Sequence, residues 1–403
     1  MKFLNKQFTQ ETLKLALPVM LTQVGQVSVN LFDNIIVGKL LGAKALAAVS
    51  LGNAMFFSIF IFGLGFSLAI PPLVSEAHSQ HDHNRINSIF RHGFVVNIIL
   101  AFVLMLLIFG IIPLMPYLNQ PKEILPDTIT FLSIVTLSII PFMIFQTMRE
   151  VSEGLSFTIG VTKATIFANV INVILNYVFI EHFKMGVAGS AWATFIARVA
   201  MMVFLYYVLI KEEKTRRYIK DFSLKIKDFT KEMFEKLIRL GFPTALQLFF
   251  EVTAFAGAAF ICGLISAKDI AAHQIALSMA SFTFNLCVGF SVASTVMIGR
   301  KLGEKDFVNL EKVGFNNLKI AFIFMLMCGL VFILGKDVLP TFFTKKEDIA
   351  VVELASQLMI IAALFQLSDG IQVTALGCLR GIQDVKIPSI LTFIAYWVIT
   401  IPL

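Results

Sequence analysis

The stretch KEEKTRRYIKDFSLKIKDFTKEMFEKLIR, residues 211–239, decides how the chain is read. It carries ten Lys or Arg: Lys211, Lys214, Arg216, Arg217, Lys220, Lys225, Lys227, Lys231, Lys236 and Arg239. The sequence on either side is overwhelmingly apolar. So dense a run of charge does not sit in hydrocarbon, and it reads as an aqueous loop, with an amphipathic helix expected over 222–237 on a membrane surface.

Working outward, the 403 residues are 57% hydrophobic and only 15% charged, with a mean hydropathy of +0.83. That balance excludes an ordinary soluble domain. Apolar runs of bilayer-spanning length predict helices near 13–37, 46–75, 93–112, 128–149, 164–180, 187–210, 240–264, 270–299, 317–335, 350–377 and 387–403. The net charge of +7 reflects basic loops rather than nucleic-acid binding. Of the 33 Lys and Arg, 24 fall on the side of the N-terminus, eight on the other and Arg198 within a span. The asymmetry predicts a cytoplasmic N-terminus and a cytoplasmic 211–239 linker. The four cysteines, Cys262, Cys287, Cys328 and Cys378, lie in or beside apolar spans without metal-ligand spacing and read as packing residues.

The same script is written on both sides of the linker. LALPVMLTQ (15–23) parallels LGFPTALQL (240–248), which pairs Pro18 with Pro243. GAKALAA (42–48) parallels SAKDIAA (266–272), GFS recurs at 65–67 and 289–291, and Phe145-Gln146 answers Phe365-Gln366. The expected architecture is an all-α polytopic membrane protein whose two halves, with six spans in the first and five in the second, are related by a parallel repeat. Its parts are an N-lobe over 1–210, the basic linker over 211–239 and a C-lobe over 240–403. The C-lobe is expected to be truncated, with a twelfth helix missing.

Ionisable groups at membrane depth carry the functional signal, because each costs about 2.5–3.5 kcal/mol at the centre of a span. Asp33, Glu251 and Asp369 are the three such carboxylates, each on a polar helical stripe: Gln23, Gln26, Asn30 and Asp33; Thr244, Gln247 and Glu251; Gln366, Asp369 and Gln372. A buried acid neutralised by one cation at a time can bind H⁺, Na⁺ or a cationic substrate, each excluding the others, which is the logic of an antiporter. Asn172 and Asn176 share a helix face and Thr194 follows on the next span. They serve either as ligands or as interhelical hydrogen bonds. Arg198 either pairs with a carboxylate or joins a polar lining. Pro18 and Pro243 either bend their helices or start them.

At these residues the sequence resembles the multidrug and toxic compound extrusion (MATE) family, most closely its NorM-like branch. The resemblance rests on LPVMLTQ and FDNIIVG in the first span, LGFPTALQLFFEVTAF in the seventh, AAHQIAL and IGRKLGE around the eighth, FQLSDGIQVTALGCLRGIQD in the tenth, and NVILNYVF followed by GSAWAT in the fifth and sixth. It implies two six-helix bundles around a central cleft, in a monomeric, multi-pass efflux antiporter of the bacterial inner membrane, surrounded by lipid and without a cofactor. Such a protein exports small organic cations or drugs in exchange for Na⁺ or H⁺. It also implies an N-lobe cation site at Asp33, Asn172, Asn176 and Thr194, and a C-lobe acidic pair, Glu251 and Asp369. Na⁺ is expected at one of these two sets, with Gln26, Asn30, Gln247, Phe365 and Gln366 lining the cleft. Two positions depart from the pattern: Ile180 replaces an acid of a related branch, and Phe365 a Tyr of some NorM-like members, which keeps a ring for cation–π contact but loses the hydroxyl.

Weaker features read as ordinary. His78, His81 and His83 fall in a solvated loop, His273 is structural, and Arg149 with Glu150 and Glu153 forms a surface ion pair at the end of span four. No phosphate-cradling Gly-x4-Gly-Lys loop is present, and no enzyme constellation. The alternative function on a related two-lobed scaffold is a lipid-linked precursor flippase, whose site would be rich in cations; a non-transporting receptor would tolerate Leu at the acids.

Overall fold

The computed structural model describes residues 4–117, 121–225, 228–343 and 349–400, so residues 226–227 of the linker and the last three of the eleventh span lie outside them. Fourteen α-helices follow one another among the described residues, with no strand: α1 Lys6–Leu41, α2 Ala43–Ser67, α3 Ile70–Ser79, α4 His83–Ile111, α5 Leu125–Leu137, α6 Ile139–Gly154, α7 Ile159–Tyr177, α8 Gly186–Lys211, α9 Glu213–Lys220, α10 Lys231–Ile265, α11 Ala267–Gly303, α12 Phe307–Gly335, α13 Ile349–Gly381 and α14 Lys386–Phe393. Nine helical stretches among these residues are long and apolar enough to cross a bilayer. α5 and α6, bent by 42° at their junction, make a tenth if taken together, and Lys386–Thr400 is a shorter apolar helix. Over their described residues, the eleven predicted spans therefore fall on helical stretches.

The repeat reaches down to the helix ends. Asp82 accepts from the Arg85 N–H (2.9 Å) to start α4, and Asp306 accepts from the Asn309 N–H (3.2 Å) to start α12. Asp306 also takes the Asn309 side chain at 2.8 Å, which holds its carboxyl below the usual carboxylate range. Between the first two helices of each half the solutions differ. Gly42 turns the chain with φ 86°, a left-handed conformation open to glycine, whereas Ser266 caps α11 through the Asp269 N–H (3.1 Å).

One alternative drops out and one expectation holds only in part. Pro18 and Pro243 do not start helices: each stands twelve residues inside a continuous helix, counted from Lys6 and Lys231. The amphipathic helix expected over 222–237 is present only in part: residues 231–237 open α10, and the described residues of 221–230 hold no α-helix. α9 ends at Lys220, and α10 starts only at Lys231. The connecting segment is pinned to α4 instead. Phe222 packs on Phe90 and Phe94, with ring centroids 4.8 and 5.2 Å apart, and Asp228 pairs with Arg91 at 2.8 Å. The Thr230 N–H donates to His92 Nε2 (2.9 Å), which leaves His92 Nδ1 to donate to the Ser88 carbonyl (2.7 Å).

By packing, the chain forms two compact units, one of Met1–Val24 with Phe250–Leu403, the other of Gly25–Phe249. These are not the halves of the repeat, since each unit takes the opening turns of one long helix from the other half. In the Gly25–Phe249 unit, a Cβ on Gly65 would lie 2.6 Å from Ala245 Cα. In the other unit, a Cβ on Gly289 would lie 2.7 Å from Met20 Cγ and 2.8 Å from the Ala16 carbonyl. Met20 and Ala245 stand 225 residues apart, the same spacing as Pro18 and Pro243. The repeated GFS is thus one close helix crossing made twice, the use of small residues where backbones must approach in a membrane. Each unit has its own apolar core, around Phe60, Phe131, Ile139 and Met143 in one and around Cys287, Phe290, Met297 and Met325 in the other.

Candidate functional site

In the Gly25–Phe249 unit, α1, α7 and α8 bring Asp33, Asn172, Asn176 and Thr194 together. Asp33 is 5% exposed. Asn176 Nδ2 donates to Asp33 Oδ1 at 2.7 Å and to Asn172 Oδ1 at 3.3 Å, and the Thr194 hydroxyl donates to Asp33 Oδ2 at 3.5 Å. Asn176 Oδ1 is buried with no hydrogen-bond partner. A carboxylate, amide oxygens and a hydroxyl, one acceptor unused, form a donor set of the hard-oxygen kind that suits Na⁺; the carboxylate alone suits a proton.

Beside these residues lies a cavity of about 410 Å³, whose wall includes Gln26, Asn30, Asp33, Asn172, Thr194 and Arg198. Gln26 and Asn30, spaced by helical turns from Asp33, line it as the stripe predicts. Asn34, Ser50, Asn53 and Asn169 also line it. Asn169 extends the Asn172–Asn176 stripe by one turn, and Ser50 and Asn53 form a short i, i+3 pair on α2, a signal available in the sequence but not taken up. Arg198, left open above, does not pair with Asp33. Its Nη1 donates to the Ser138 hydroxyl (2.6 Å), and its guanidinium lies 4.7 Å from the Phe56 ring centroid and 5.1 Å from that of Phe142.

Glu251 and Asp369 are buried in the other unit, 7% and 4% exposed, on α10 and α13. Asp369 Oδ1 is buried without a hydrogen-bond partner. Among the described residues, none of the three intramembrane acids makes an ion pair. Gln366 is fully buried and accepts from the Thr283 hydroxyl (2.9 Å), so it serves the α11–α13 contact. Phe365 is partly exposed, its ring centroid 6.1 Å from that of Phe255. Gln247 is buried in the Gly25–Phe249 unit and does not line the cavity there. Tyr396, not singled out from the sequence, hydrogen-bonds Gln372 at 3.4 Å beside Phe255.

One further reading changes. Glu150 and Glu153, each 1% exposed, lie with Arg149 in the interior and not on a surface; Arg149 Nε meets Glu153 Oε1 at 2.7 Å. His78, His81 and His83 do not gather: among the described residues no group of three His, Cys, Asp or Glu could hold a metal, and His83 Nδ1 bonds the Tyr218 hydroxyl at 2.8 Å.

The family model described as MatE matches residues 18–178 and again 243–403, which are the two copies of the repeat. "Multidrug resistance protein NorM" of Photobacterium profundum is 31% identical over 98% of this chain and 86% of its own length. "Probable multidrug resistance protein NorM" of Agrobacterium fabrum is 33% identical over 97% and 85%. Among solved structures, the eukaryotic MATE transporter AtDTX14 superposes with a TM-score of 0.89 at 16% identity, over 98% of this chain and 88% of that one. A duplicated helical scaffold with this likeness defines a multi-pass membrane transporter, not an enzyme. The chain belongs to the MatE family, as its motifs imply, and the relatives named here are bacterial.

Proposed function

We propose that this chain is a secondary active efflux antiporter of the bacterial inner membrane, exporting organic cations and drugs in exchange for Na⁺ or H⁺, with its N-terminus and basic linker in the cytoplasm. The observation that carries the reading is Asp33: a buried carboxylate at a polar cavity, bonded to two neutral side chains and in no ion pair. Neutralising such a group, by Na⁺, a proton or a cationic substrate, releases the electrostatic cost of its burial. A cation then changes the balance between two states of the transporter only by the difference in its affinity for them. Asp33, Asn172, Asn176 and Thr194 would hold the driving cation in one unit, and Glu251 with Asp369 would serve cations in the other. The names of the relatives support drugs as the exported class. Arg198, held by Ser138 and two phenyl rings, stays available as a fixed positive charge that repels a second cation. The protein would work as a monomer within lipid, without a cofactor or nucleic acid.

The test is ethidium flux in proteoliposomes under a Na⁺ gradient at fixed pH, then under a pH gradient without Na⁺. Asp33→Asn, which keeps the shape and removes the charge, is expected to abolish flux under whichever gradient drives the wild type. Undiminished flux in Asp33→Asn and in Asp369→Asn would refute the mechanism.

A further inference from the structure

The Gly25–Phe249 unit has a second cavity of about 590 Å³, which shares no lining residue with the one at Asp33. That volume lies within the roughly 300–1,000 Å³ of sites that bury a small ligand. Phe90 and Met148, which line it, are buried, while Val203 and Tyr206 of α8, which also line it, are 54% and 50% exposed. Those two residues lie on a helix long and apolar enough to cross a bilayer, where exposed apolar surface is matched by lipid. Lys220 and Phe222, at the junction of α9 and the pinned linker, complete the lining.

The two ends differ in chemistry. The body is apolar, while Lys220 brings a positive charge to the rim, next to the exposed Lys214 and Arg217 of α9. Among the described residues none of these three cations makes an ion pair. Glu213 and Asp221 flank the same helix, but neither lines the cavity. An apolar slot open to the bilayer and ending at an ammonium matches an amphiphile with an acyl tail and an anionic head. A soluble anion would leave the slot's walls unmatched, and a cationic drug would meet Lys220 at its rim.

We propose that this cavity takes an acyl chain of an anionic phospholipid, with the lipid phosphate on Lys220, and that the bound lipid ties α9 and the linker to the membrane. The whole chain, purified in mild detergent, is tested by native mass spectrometry with phosphatidylglycerol against phosphatidylcholine of identical chains. Phosphatidylglycerol is expected to be retained about fivefold better, the size of one near-surface charge. Lys220→Ala should remove that preference and Lys220→Arg restore it. Val203→Trp, which narrows the opening, should lower retention of both lipids. Equal retention of the two lipids by the wild type, or a preference unchanged in Lys220→Ala, overturns the headgroup assignment. Unchanged retention in a folded Val203→Trp protein overturns the chain assignment. If Val203→Trp fails to fold, the Lys220 variants still decide the headgroup assignment, and Met202→Phe, which fills the same cavity, decides the chain assignment by the same criterion. Tetraphenylphosphonium displacing the lipid from the wild type but not from Val203→Trp would place a cation there and also refute it.

Discussion

Asn176 does two things for Asp33. Its Nδ2 bonds the carboxylate, and its Oδ1 is left as an unused acceptor in the same buried place. A hydrogen bond to a charged group contributes about 1.5–3 kcal/mol, so Asn176→Ala is expected to slow ion-driven ethidium efflux by roughly tenfold or more in folded protein. An Asn176→Ala protein with wild-type efflux rates would exclude the residue from coupling. The shared helix faces were legible from spacing, in steps of three and four from Gln23 to Asp33 and of four from Asn172 to Asn176, whereas the grouping of Asp33 with Asn172, Asn176 and Thr194 came only from the family resemblance. Spacing does not say how side chains from different helices meet. Arg198 could have turned to Asp33 or away, and its place between Phe56 and Phe142 depends on α2 and α6, which no local pattern in α8 records. Glu153 was misread for a related reason. It stands at a helix end, where charge is ordinarily solvated, yet the packing of that end buries it against Arg149.

At the scale of elements, the glycine crossings are the most sensitive points. A side chain at Gly65 would meet the backbone of α10, which cannot move aside as a flexible side-chain tip can. Gly65→Ala is expected to cost about 1–3 kcal/mol, read as a lowered melting temperature in detergent, and Gly65→Leu more. Gly110→Ala, where an added Cβ meets nothing within 4 Å, is the control that should stay near wild type. Equal melting of Gly65→Ala and Gly110→Ala would mean that the crossing is loose. The elements themselves were readable, because runs of bilayer length leave little choice of conformation. The linker was not. Its alternation of Lys with Phe, Ile and Leu over 222–237 suits an amphipathic helix, but Phe222, Asp228 and Thr230 each find partners on α4 that an isolated helix would forgo. For the prolines the sequence left bending or a helix start open, and twelve residues precede each one within its helix, which excludes the start. An interior Pro costs about 3 kcal/mol in an isolated helix, and so it persists only where the surroundings or the function compensate.

For the molecule as a whole, the sequence repeat and the compact units are different partitions of one chain. The repeat divides at the linker, whereas the packing assigns Met1–Val24 to one unit and carries the other through Phe249. That borrowing has a consequence for how the protein could be dissected. A polypeptide stopping at residue 210 would retain Gly65 but lack the stretch around Ala245 that fills its groove, and one starting at residue 211 would retain Gly289 but lack Ala16 and Met20. Expressed singly, the two pieces should be degraded or aggregate; produced together in one cell, they should copurify and recover dye efflux. Either piece proving stable alone would show the exchange to be dispensable. On this plan each half leans on its twin, and a lone copy would need a second molecule to lend it the missing strip.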